Sequence, residues 1–142
     1  MQILVATDRE VLVIDAERGT TAPARGISDR PTALVADGLV DGRAWCGTHR
    51  GGVFRSDDSG RSWQPSGLAG RLIMAVAASS AERDVVWAGT EPSEVWRSGD
   101  AGNSWEQTSD LTTLPSSSEW SFPPRPATHH VRWIACHPLE PE

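Results

Sequence analysis

The chain has no tyrosine, only two cysteines and two phenylalanines, and no excess of positive charge: 13 lysines and arginines stand against 19 acidic residues among 142. Each shortage excludes something. Without tyrosine, no tyrosine nucleophile can operate within these residues. Without a basic stripe, nucleic acid is not an expected partner. No apolar run is long enough to span a bilayer. Met1-Gln2-Ile3 leads straight into a strand pattern, and no charged segment followed by an apolar one marks a secretory leader. Cys46 and Cys136 sit in apolar strand contexts. They read as buried free thiols of a reducing compartment, so the expected location is cytoplasmic.

What the chain does have is a repeated octapeptide. Ser56-Asp57-Asp58-Ser59-Gly60-Arg61-Ser62-Trp63 and Ser98-Gly99-Asp100-Ala101-Gly102-Asn103-Ser104-Trp105 both read S-x-D-x-G-x-S-W. The pattern suits a tight turn between antiparallel strands. The Asp carboxylate accepts backbone N–H bonds, the Gly takes a positive φ without steric cost, and the Ser hydroxyls bond locally. The Trp opens the next strand and folds a large ring under the turn. Ser56, Asp58, Gly60, Trp63, Ser98, Asp100, Gly102 and Trp105 are therefore structural residues. A calcium loop would need a Glu six residues after the Gly; Ser66 and Thr108 stand there instead.

The repeat extends beyond the octapeptide with a period of 42 residues: Trp45 and Trp87, Gly47 and Gly89, Thr48 and Thr90, Val53 and Val95, Arg55 and Arg97. A period in the forties with strand signals points to a β-propeller, whose blade is a four-stranded sheet. On these residues the chain resembles the BNR or Asp-box repeat family of β-propellers, sialidase-like and WD40/YVTN/BNR-like proteins among them, from about Ile3 to His137. The resemblance implies an all-β fold of four-stranded antiparallel blades. It does not imply one activity.

The units follow in order. Residues 1–30 hold strands two to four of a blade that lacks its first strand, with Gln2–Thr7 matching Val85–Thr90. Pro23 suits an outer edge strand. Residues 31–70 and 71–108 are complete blades. Essentially no helix is expected. Residues 109–129 break the period as a long loop, and residues 130–137 match an inner first strand, Trp133–Cys136 aligning with Ala75–Ala78. The tally is about three blades, below the usual minimum of about four. Two outcomes follow: a piece of a longer propeller, or two copies sharing a ring of six blades.

The long loop belongs to the rim where ligands enter, and long loops on rigid scaffolds carry binding. It delivers Trp120, Phe122, Arg125, His129 and His130; His49 lies in another connection of the same rim. Trp120 either pins its own loop or offers a stacking platform for a sugar or peptide. Arg125 either solvates the loop or pairs with a carboxylate. His129 and His130 face opposite sides of a strand, and His137 lies roughly 23 Å further along, so no shared metal site is expected. There is no phosphate-binding Gly loop, no Cys/His metal spacing and no Ser nucleophile elbow, and no cofactor is expected. The resemblance to sialidases implies a Tyr nucleophile and an arginine triad, and the missing tyrosine excludes that centre here. Other glycosidases pair two carboxylates; Glu91, Glu119 and Asp8 are the conceivable members. The expectation is a module that binds a carbohydrate or peptide without demonstrable catalysis. The alternatives are a fragment of a glycoside-hydrolase-like propeller acting on carbohydrate, and a purely structural fragment.

Overall fold

The computed structural model describes residues 1–109, 111–122 and 128–138. Its strands are β1 (Gln2–Ala6), β2 (Val11–Asp15), β3 (Thr20–Pro23), β4 (Pro31–Ala36), β5 (Ala44–Thr48), β6 (Val53–Ser56), β7 (Gln64–Pro65), β8 (Leu72–Ala78), β9 (Val86–Glu91), β10 (Val95–Ser98) and β11 (Glu106–Ser109). They form three antiparallel up-and-down sheets, β1 to β3, β4 to β7 and β8 to β11. The helix content of the described residues is two 3₁₀ turns inside the long loop, Leu111–Thr113 and Ser117–Glu119. The Ser117 hydroxyl ties them together by donating to the Thr112 carbonyl at 2.6 Å. Among the described residues no helix is long and apolar enough to cross a membrane.

The core lies between sheets rather than within one. Alternation along β5 aims Ala44 and Cys46 one way and Trp45 the other. Ala44 and Cys46 pack with Val11, Phe54 and Trp63 between the first and second sheets. Trp45 packs with Ile73, Val86, Ala88 and Ala101 between the second and third. All five residues of β5 are buried, because a central strand covered on both faces has no solvent side. Burial also pushes the Cys46 thiol up to about 12, so it behaves as a small apolar side chain. Cys136, expected buried, is only half-buried.

The two S-x-D-x-G-x-S-W turns are the β6–β7 and β10–β11 corners, and their hydrogen bonds match atom for atom. Ser98 Oγ donates to Asp100 Oδ1 at 2.8 Å and accepts the Gly102 N–H at 2.8 Å. Asp100 then accepts the backbone and hydroxyl of Ser104 at 2.8 and 2.6 Å. In the other turn Ser56, Asp58, Gly60 and Ser62 repeat this at 2.8, 2.9, 2.8 and 2.5 Å. The bonds from Ser104, then from Ser98, hold the Asp100 carboxyl at about 2. At Asp58 slight burial pulls upward, but the bonds from Ser62 and Ser56 outweigh it and the net direction is down.

The turn glycines touch the preceding sheet. Gly102 has φ +79°, and a Cβ there would lie 2.1 Å from Ser66 Oγ and 2.7 Å from Trp45 Cζ3. Gly60 stands likewise over Leu4 of β1. The tryptophans differ. Trp63 is buried and donates its indole N–H to Gly60 O of its own turn at 2.8 Å. Trp105 is half-buried and reaches across to Ser66 O at 2.5 Å, over the bare Cα of Gly67.

Two outcomes follow. Gly102→Ala meets both a left-handed backbone and a filled space, and should lower stability by about 2–4 kcal/mol. Gly38→Ala, where nothing stands within 4 Å, should stay within about 0.5 kcal/mol; urea midpoints of the two variants check this. The Asp100 carboxyl is more acidic folded than unfolded, where about 3.9 is usual. Its contribution is therefore complete above about pH 4 and is lost as pH falls toward 2. In Asp100→Asn the stability measured between those pH values should fall less steeply.

Candidate functional site

In each sheet a threonine at or beside the end of β1, β5 or β9 closes the connection to the following strand. The backbone N–H groups of Thr7, Thr48 and Thr90 donate to Glu10, Gly52 and Glu94 carbonyls at 2.9, 3.0 and 3.1 Å. These closures build the rim opposite the serine–aspartate turns. At the third closure Thr90 Oγ1 also donates to Pro92 O at 2.5 Å, which fixes Glu91 and Ser93 on the rim.

The long loop returns onto this corner. Thr128 Oγ1 donates to Glu91 Oε1 at 3.1 Å. His129 Nδ1 shares a hydrogen bond with the buried Ser93 hydroxyl at 2.8 Å. His130 Nδ1 faces the other Glu91 oxygen at 3.8 Å, and both side chains are more than nine-tenths buried. Val131 N donates to Thr90 O at 3.1 Å. The loop aromatics close over the same histidines, Trp120 edge-on to His129 at 5.5 Å and Phe122 edge-on to His130 at 4.6 Å. The structure thus brings together Trp120, Phe122, His129 and His130, and each aromatic ring is partly engaged in pinning its own loop.

A cleft of about 930 Å³ opens beside them, walled by Trp120, Phe122, Glu119, His129, Arg132 and Trp133 among others. Its size is in the range of small-molecule and peptide pockets. His49 lies outside this cleft, in two adjoining hollows, one with Asp8 and Arg30 and one with Arg50 and Glu91. Arg125 lies outside the described residues. Asp8, Glu91 and Glu119 line three different hollows, and no two of them share one. Sequence reasoning passed over Ser93, Thr128, Arg132 and Trp133. Ser93 and Thr128 carry no motif; Arg132 and Trp133 read as members of a strand.

The anchor of the loop is the Glu91 carboxylate. Glu91→Ala removes the Thr128 bond and the partner of His130, so the loop return should open more often. Amide exchange at Val131 should rise roughly tenfold or more, the equivalent of about 1.5–3 kcal/mol for a hydrogen bond to a charged group. Exchange within β5 should not change.

No family model and no curated protein matches the chain. Solved structures do. An ancestral GH74 enzyme superposes with a TM-score of 0.66 at 16% identity, over 75% of this chain and 16% of that one. YCF48 bound to a D1 peptide gives 0.58 at 16% identity, over 75% of this chain and 36% of that one. YCF48 from Cyanidioschyzon merolae gives 0.52 at 18%, over 81% and 31%. The chain spans about a sixth to about a third of the length of these structures. With its three antiparallel sheets packed face to face, the chain has the fold of a partial β-propeller of about three blades.

Proposed function

We propose that the chain is a propeller module of the Asp-box type whose loop rim binds an extended peptide. The observation that carries this reading is the cleft of about 930 Å³ lined by Trp120, Phe122 and Trp133 together with His129 and Arg132. Trp120 and Phe122 offer faces to a bulky apolar side chain. Arg132 is exposed and offers a cation to a carboxylate. The peptide held by one of the similar structures, YCF48, supports a peptide over other ligands.

The test is titration of the chain with arrays of acidic–aromatic peptides and, in parallel, neutral oligosaccharides, followed by tryptophan fluorescence and calorimetry. Peptide binding is expected. Trp120→Ala should weaken it at least tenfold, on the order of 1.4 kcal/mol or more, with the folding transition retained. Arg132→Ala should weaken carboxylate-bearing peptides selectively. Oligosaccharide binding without peptide binding would establish the carbohydrate reading instead, and binding indifferent to both substitutions would remove the cleft from consideration.

A further inference from the structure

We propose that the hollow between the first two blades, on the corner side, binds a small phosphate monoester with a hydroxylated organic part, a ligand of sugar-phosphate size and chemistry. The proposal goes beyond the peptide reading and uses none of the loop-rim residues.

The repeat supplies the comparison. Strand register sets Gln2, Val13 and Asp15 of the first blade in the places of Arg43, Arg55 and Asp57 of the second. Ala24 likewise holds the place of Ser66, each donating its backbone N–H to the matching valine carbonyl. Between the second and third blades these side chains bridge the junction. Arg43 joins Asp57 at 3.1 Å and also Asp84. Arg55 Nη1 donates to Ala101 O at 2.7 Å, and Ser66 Oγ donates to Gly102 O at 2.9 Å. Between the first and second blades, Val13 and Ala24 carry no side-chain donor. A hollow of about 530 Å³ stands there instead. The blades on either side remain packed through Val11, Cys46, Phe54 and Trp63, so the hollow is a gap within a closed junction.

Its charge is opposite to that of the chain. Arg18 of the β2–β3 corner, Arg25 just after β3 and Arg61 of the β6–β7 corner line it from three separate turns, against two carboxylates, Asp15 and Asp58, in a chain of net charge −6. The carboxylates are already engaged. Asp58 accepts from Ser56 and Ser62, and Asp15 accepts the Glu17 and Arg18 N–H groups. The guanidiniums are less committed. Arg18 Nε stands 3.7 Å from Asp15 Oδ2, beyond hydrogen-bond distance. Arg61 donates to Asp58 O at 3.2 Å. Arg25 has no side-chain hydrogen bond or ion pair among the described residues. Its place is set by the backbone: Arg25 N donates to Arg61 O and Trp63 N donates to Arg25 O, both at 2.9 Å. The Arg25 side chain therefore takes no part in holding the junction.

The chemistry of the lining selects the ligand. Three guanidiniums arriving from three turns suit a phosphate ester, with three acceptor oxygens and a charge of about −1.5 to −2, better than a carboxylate with two oxygens and one charge. The hollow is larger than a bare phosphate needs and lies within the range of small-molecule sites. Gln2 lines it, with Oε1 buried and without a hydrogen-bond partner. Together with Asp15 and Asp58 it provides acceptors for hydroxyl groups on the organic part.

Calorimetric titration of the intact chain at low ionic strength, with glucose-6-phosphate, inorganic phosphate and glucose as probes, tests this. Saturable binding of glucose-6-phosphate at millimolar concentration is expected, with the other two at least tenfold weaker. Arg25→Ala should weaken it about tenfold or more, as for loss of a charge-assisted hydrogen bond, while the urea midpoint stays that of the unaltered chain. Val13→Arg, which places in the first junction the arginine that fills the second, should abolish binding. No saturable binding, equal binding of glucose, or binding indifferent to Arg25→Ala overturns the proposal. Inorganic phosphate bound as tightly as the ester overturns the assignment of a hydroxylated ester. Arg25→Ala decides the matter even if Val13→Arg misfolds.

Discussion

The close approach of successive blades at a side-chain-free corner is the constraint on which the rest depends. Trp45 is fully buried only because Gly102 has no side chain at the point where the ring arrives. Burying such a ring removes about 150–250 Å² from water, on the order of 4–6 kcal/mol at about 25 cal/mol per Å², an upper figure since the unfolded chain hides some of that area. The ion pairs along the same junction count for less. Arg43 reaches Asp57 at 3.1 Å and also Asp84, but both carboxylates are more than two-fifths exposed, and pairs of that kind contribute about 0–1 kcal/mol. Packing at the corner sets the angle between blades, and the charges follow it.

The serine–aspartate network keeps that corner in place. Ser98 and Asp100 together satisfy the N–H groups of Gly102 and Ser104 from within the turn, while its Ala101 and Gly102 carbonyls accept from Arg55 and Ser66 of the preceding blade. It can therefore present Gly102 at a fixed height. The first blade lacks this network: its corner is held by Asp15, whose side chain accepts from Glu17 and Arg18 and whose carbonyl accepts from Gly19. Where a corner has a blade beneath it, the chain invests two serines and an aspartate in its geometry.

The blade architecture was legible because it is local and repeated. Alternating strands, the turn octapeptide and the matched Trp, Gly-Thr and Val-x-Arg positions recur at a fixed period, and a ladder needs little beyond them. The different use of Trp63 and Trp105 was not legible. It depends on what the preceding blade offers, Arg25 backbone in one case and the bare Gly67 in the other, and identical motifs carry no record of their neighbours. In the loop, the aromatic and histidine residues announced a cluster by type. Ser93 and Thr128, which tether that cluster, are common residues whose partners lie 36 and 37 positions away, and spacing of that kind leaves no periodic trace. Trp133 looked like any strand residue, yet it is 82% exposed.

The two rims divide the labour by stiffness. On the corner rim the motif residues Ser56, Asp58, Ser98 and Asp100 are committed to the geometry of their turns. On the loop rim the threonine closures at Thr7, Thr48 and Thr90 spend one side chain per blade and leave the following positions, Asp8, His49 and Glu91, free to differ. At the third blade that freedom is used to seat a carboxylate under two loop residues. A single buried carboxylate holding Thr128 while facing His130 anchors the return of the long loop on the third blade. The aromatic wall of the cleft is thus positioned by the rim of the third blade, and that rim is positioned by the packing of Trp45 beneath Gly102.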